Sequence, residues 1–180
     1  MITGILIAGI ALLNFDLPSI RPESEDKCTD CHGSLVQMST VHPPAEMKCG
    51  ICHASTGKPH PGDAKGFTLT NSFPAGLYAK ADADTFALCW DCHDMDMILV
   101  DSSTAVTGFR NGALNLHSVH IRGDKGRSCS ACHNVHAASN RHLDRDKVKF
   151  GNWSMPMNYI VQDEGGSCAP GCHGVKEYKR

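Results

Sequence analysis

The chain has 180 residues, a formal net charge of −2 and 20% charged residues. It has no excess of basic residues for holding nucleic acid. Aromatic residues make up only 6%, against ten cysteines and eleven histidines. An ordinary domain of this length buries one side-chain core, and here something other than side chains is needed to supply much of it.

In chain order, residues 1–20 come first as an apolar segment running mainly from Ile2 to Leu13. No Lys or Arg precedes it and no small-x-small cleavage pattern is clear, so signal, membrane anchor and docking segment all remain open readings. Arg21-Pro22-Glu23-Ser24-Glu25-Asp26-Lys27 is a charge run of the kind that stays solvated between parts of a chain. From there residues 21–180 read as a single unit. Cys28-Thr29-Asp30-Cys31-His32 opens it, and Cys49-Gly50-Ile51-Cys52-His53 follows closely. A helix is predicted over about Asp82–His93, started by the carboxylate of Asp82 or Asp84 and carrying Cys89-Trp90-Asp91-Cys92-His93. A second helix is predicted over Gly112–Ile121. Cys129-Ser130-Ala131-Cys132-His133 comes next, and Cys168-Ala169-Pro170-Gly171-Cys172-His173 repeats the pattern with one residue more. The spans from Cys52 to Cys89, Cys92 to Cys129 and Cys132 to Cys168 are nearly equal, as in a quasi-repeat.

C-x-x-C-H is the attachment signature of c-type haem: two thiols add to the porphyrin vinyl groups and the adjacent histidine becomes an axial ligand. Zinc is the main competing reading, since the spacing between Cys31 and Cys49 suits a zinc pattern. Zinc gives no reason for a histidine directly after each second cysteine, and histidine accounts for only 11 of 180 residues. A disulfide framework predicts varied spacings, whereas all ten cysteines fall inside motifs. The expected cofactors are therefore five covalent haem c groups, with His32, His53, His93, His133 and His173 as proximal ligands.

Six histidines remain for the far sides of five irons: His42, His60, His117, His120, His136 and His142. Methionine is the competing ligand, with Met38, Met47, Met95, Met97, Met155 and Met157 available, but methionine more often fills gaps in cores. His42 is followed by two prolines that hold the backbone extended. His117 and His120 share a helix face at a three-residue spacing and could serve two neighbouring irons. His133 and His136 repeat that spacing. His142 is taken as the spare, although His60 and His142 could exchange roles.

The phrases Thr107-Gly108-Phe109-Arg110-Asn111-Gly112, Asn115-Leu116-His117 with His120, Lys125-Gly126-Arg127-Ser128-Cys129 and Gly165-Gly166-Ser167-Cys168 onward carry a resemblance. The chain resembles the multihaem cytochromes c with doubled CXXCH motifs, found in metal-reducing and related anaerobic bacteria. The resemblance implies six-coordinate bis-histidine haems in a close-spaced chain. Some multihaem cytochromes form extracellular conductive filaments, so a filament is one form the function could take.

The fold expected is that of a multihaem c-type cytochrome: mostly irregular with short α-helices, little β, and an elongated haem array. Two ionised propionates leave each ferric haem at about −1, which takes the total charge to about −7. Partners are then other redox proteins, further copies of the chain, or an extracellular metal or mineral acceptor, with no nucleic acid; membrane association is open. Covalent haem attachment takes place outside the cytoplasmic membrane, so an exported, extracellular or periplasmic location is expected. Bis-histidine iron has no open position for substrate, which favours electron transfer over catalysis. An electron-transfer subunit of a membrane quinol-oxidising complex is the alternative. A multihaem reductase fits less well, because every motif here ends in histidine.

Overall fold

The computed structural model describes residues 25–58, 60 and 66–180. The apolar segment 1–20 and its three readings lie outside the described residues. Among the described residues no helix is long and apolar enough to cross a membrane.

The first motif lies on α1 (Glu25–His32), followed by β1 (Thr40–Val41) and α2 (Pro43–Met47). Proline suits the first turn of a helix, where an amide proton has no partner to lose. His42 in front of it is extended, at φ −68° and ψ 125°. The next elements are β2 (His53–Ser55), β3 (Phe67–Leu69), α3 (Ala87–Trp90) and α4 (Asp96–Leu99). β4 (Arg110–Asn111), β5 (Leu114–Asn115) and α5 (Leu116–Ile121) follow. The C-terminal part holds β6 (Ala137–Ala138), β7 (Lys147–Phe150), β8 (Trp153–Pro156), β9 (Tyr159–Gln162), β10 (Gly165–Cys168) and β11 (Lys176–Lys179).

The expectation of a mostly irregular chain with short helices and little β is corrected. Among the described residues, eleven strands form small antiparallel sheets and stand beside five short helices. The cause is local turn chemistry. In β7–β8 a two-residue loop joins Phe150 to Trp153, and Gly151 takes φ +61° at its first position, where a hairpin loop of that length favours glycine. Gly112, at φ +57°, does the same between β4 and β5. The three-stranded sheet runs β11-β10-β9. In it Gly166 leaves room for Ile160 and Tyr178, whose hydroxyl would lie 2.6 Å from any Cβ there.

Both predicted helices shorten. The third motif's helix is only Ala87–Trp90, although Asp82 does start the preceding turn by accepting from the amide of Thr85 at 2.7 Å. The stretch from Gly112 gives β5 before α5 begins at Leu116. The side-chain core is small: Phe86, Ile98 and Ile121, with Ala79, Ala81, Trp90, Met97 and Cys129 packed around them.

Candidate haem-binding sites

The local backbone explains how each motif presents its three groups. In the third motif the amides of Cys92 and His93 both donate to the carbonyl of Cys89, at 3.2 and 2.9 Å. The fourth repeats this, with Cys132 and His133 on Cys129 at the same distances. This single turn brings residues three and four apart to one side of the backbone. The fifth motif differs: Cys168 ends β10, and the amide of His173 reaches Pro170 instead, at 3.3 Å. Its extra residue is absorbed in that loop. No disulfide joins any of the ten cysteines. Among the described residues, no three or more His, Cys, Asp or Glu side chains converge as a metal cluster, so the zinc reading finds no tetrahedral site there.

The histidines come together in pairs. His32 faces His60 with ring centroids 6.0 Å apart, His42 faces His93 at 6.1 Å, and His53 faces His136 at 6.2 Å. These three pairs are nearly parallel, with interplanar angles of 25°, 20° and 11°. His117 faces His133 and His120 faces His173, both at 6.4 Å, tilted by 30° and 42°. Each pair joins one motif histidine to one of the other six, and His142 is in none of them. Two imidazoles bound end-on to opposite faces of one metal, with metal–nitrogen bonds of about 2.0–2.1 Å, carry their centroids roughly 6.3 Å apart. The observed separations fit an iron between the rings and are too long for direct stacking contact.

Hydrogen bonding fixes which ring nitrogen is free. The Nδ1 of His42, His120, His133 and His173 donates to the carbonyls of Val135, Leu116, His142 and Gly174, at 3.0, 2.6, 2.9 and 2.6 Å. His117 Nδ1 meets the hydroxyl of Thr107 at 3.0 Å. A carbonyl accepts only, so Nδ1 carries the proton and Nε2 keeps the lone pair that binds metal. Burial keeps several rings neutral. It lowers His117 to about 4, helped by the neighbouring His133 and His120, and it lowers His42, His133 and His136 too. A neutral imidazole is the ligating form.

Two elements each hold two of these histidines. The β1–β6 ladder pairs Thr40 with Ala138 and Val41 with Ala137, and the next rung bonds the amide of His42 to the carbonyl of His136 at 2.8 Å. That ladder sets the partners of the third and second motif histidines side by side. α5 sets His117 and His120 toward the fourth and fifth motifs, and Phe109 packs on both rings, at 5.2 and 5.7 Å. Asn115, fully buried, caps α5 by accepting from the amides of His117 and Ser118, at 3.0 and 3.4 Å. Its amide group donates to the carbonyls of Met97 and Val100, at 2.9 and 2.8 Å.

Successive motifs meet at their thiols. Burial pushes the Cys52 thiol up, with Cys89 and Cys92 adding to the shift. Cys89 and Cys129 hydrogen bond to each other, which holds Cys89 down and drives Cys129 up. Burial raises Cys132 to about 11, helped by Asp144, Cys172 and Cys168 and opposed by Arg127. The second, third, fourth and fifth motifs are thus neighbours in sequence order.

Thr107, Asn115 and Asp144 carry no role in the sequence reading. Asn directly before a helical Leu-His-Ser-Val-His run is a legible cap signal. Asp144, buried and 3.3 Å from His133 Nδ1, has no local signature.

Residues 42–98 match the family model described as the doubled CXXCH motif. That stretch starts at His42 and contains the second and third motifs, so it includes the facing pair His42 and His93. No curated protein and no solved structure matches the chain. The matched region is c-type cytochrome-like: its CXXCH motifs bind haem c covalently, and the protein is of the haem-binding, electron-transfer kind.

Proposed function

We propose that this chain is an electron-transfer protein holding five haem c groups, each ligated by two histidines, and that it is not an enzyme. The observation that carries this reading is the set of five facing pairs, in which each motif histidine has a different partner at 6.0 to 6.4 Å. The ten cysteines anchor the cofactors, and His32, His53, His93, His133 and His173 bind from one face. His60, His136, His42, His117 and His120, in that order, bind from the other. When bound, the haems supply reversible one-electron chemistry at low potential, because histidine replaces methionine.

The remaining work belongs to the chain. Nδ1 hydrogen bonds to backbone carbonyls orient the imidazoles before the metal arrives. Two ligands per site close both faces to substrate, which supports transfer over catalysis. The meeting of consecutive motifs at their cysteines supports a continuous route from the second site to the fifth. Partners on this reading are other redox proteins or further copies of the chain, outside the cytoplasm. Assembly of copies into an extracellular filament is its furthest extension, checked by electron microscopy of the purified protein.

Intact-mass measurement tests the stoichiometry: the chain plus five haems, with no thiol left to alkylate, is expected. Optical spectra in both redox states and EPR of the oxidised protein test the ligation, with low-spin signals and no carbon monoxide binding to the reduced protein expected. Four haems, or rapid carbon monoxide binding, refutes the five-site bis-histidine reading.

A further inference from the structure

Arg127 sits where the fourth and fifth motifs meet. Its guanidinium carbon lies 4.2 Å over the ring of Tyr78 and 5.9 Å from that of Phe150. Its terminal nitrogen reaches the Cys172 sulfur at 3.8 Å. The same charge acts on Cys132, against Asp144 and the other thiols around it.

The backbone beneath is clamped from both sides. Ala79 donates to the carbonyl of Gly126 at 3.1 Å, Ser128 to that of Leu77 at 3.0 Å, and Arg127 itself to that of His120 at 2.9 Å. A Cβ at Gly126 would collide with the Ile121 carbonyl and lie 2.8 Å from that of Ala79, so only glycine permits this approach. Among the described residues no carboxylate forms an ion pair with Arg127. Aromatic faces hold a guanidinium in place without neutralising it.

We propose that Arg127 is an electrostatic positioning residue, its uncompensated charge held at the fourth and fifth motifs to favour the electron-loaded state of those two sites over the other three. The inference rests on the five-site reading above. A fixed positive charge in a partly desolvated position stabilises an added electron more than the same charge in water. The neighbouring Lys125 is exposed, and solvent screens it. The two cations therefore differ in effect while contributing equally to net charge.

The test is an NMR-monitored redox titration of the complete haem-loaded protein, with R127Q, R127K and K125Q compared to wild type. In R127Q two of the five components move to lower potential and three stay. R127K restores those two, and K125Q leaves all five in place. An R127Q protein with unmoved components, or with all five displaced alike, overturns the proposal; so does an R127K protein as displaced as R127Q. If R127Q does not mature, Y78L takes its place, because it keeps the charge but removes the ring that seats it. The same two components fall in Y78L, and their staying put overturns the proposal. A wild-type mass short of five haems refutes the five-site reading instead, and is read before any variant is made.

Discussion

Replacing Asn115 with alanine strikes two sites through one side chain that touches neither metal position. Asn115 is fully buried, and its amide both caps α5 and ties that helix to the carbonyls of Met97 and Val100. Loss of an Asn cap costs about 1 kcal/mol. Each partly buried carbonyl left without its donor adds about 1–3 kcal/mol. The sum, about 3–7 kcal/mol, is a large share of ordinary domain stability of about 5–15 kcal/mol. On the proposed five-haem reading the ten-cysteine tether would keep the haems attached, so the damage would show as freed ligands. Denaturant titration and carbon monoxide binding to the reduced protein are the assays. N115A is expected to lose about 3–7 kcal/mol and, on the proposed ligation, to open the two sites that His117 and His120 would serve. N115D does no better, because its carboxylate turns an acceptor toward two acceptors. An N115A protein within about 0.5 kcal/mol of wild type, still closed to carbon monoxide, refutes the reasoning.

Gly126→Ala forces a methyl group against two backbone carbonyls, and a thermal melt is expected to show a loss of about 1–3 kcal/mol from overpacking. His142→Asn removes the unpaired imidazole while suiting the left-handed backbone at φ 58°; EPR is expected to show five low-spin centres, whereas His60→Ala and His136→Ala each turn one high-spin. The Asp82 carboxylate is held below its usual range mainly by its hydrogen bonds to Thr85. Its folded value lies under its unfolded one, so its contribution is present above pH 3.8 and is lost as the pH falls through the folded value. The stability difference between wild type and D82N should therefore vanish in acid, as denaturant melts across that range would show.

The anchors were legible in the sequence because each is local: two thiols and a histidine within one turn need no knowledge of the rest of the chain. The count of facing histidines was legible too, and so was the facing of His117 and His120 toward two different motif histidines, since a three-residue helical spacing fixes their relation. The other partners were not. His42 and His136 come side by side through a two-rung ladder between residues far apart in sequence, and no periodicity encodes that ladder. The sheets escaped notice because their strands have two to four residues, too short to show alternation of apolar and polar positions. Lys147-Val148-Lys149-Phe150-Gly151-Asn152-Trp153 did carry a hairpin signal in its Gly-Asn pair, within a chain expected to be mostly irregular.

If each facing pair holds a haem, as proposed, the pairs also impose a schedule on a chain made from its N-terminus. His42, His117 and His120 all precede the motifs they face, so their partners exist when those thiols appear. The first site waits only for His60. The second waits for His136, which lies beyond the fourth motif. The cysteines of the second site can be alkylated long before its coordination can be closed. On that reading it would be the site most open to stray ligands and to oxidation while the protein matures. A chain stopped short of residue 136 would carry its second haem uncapped.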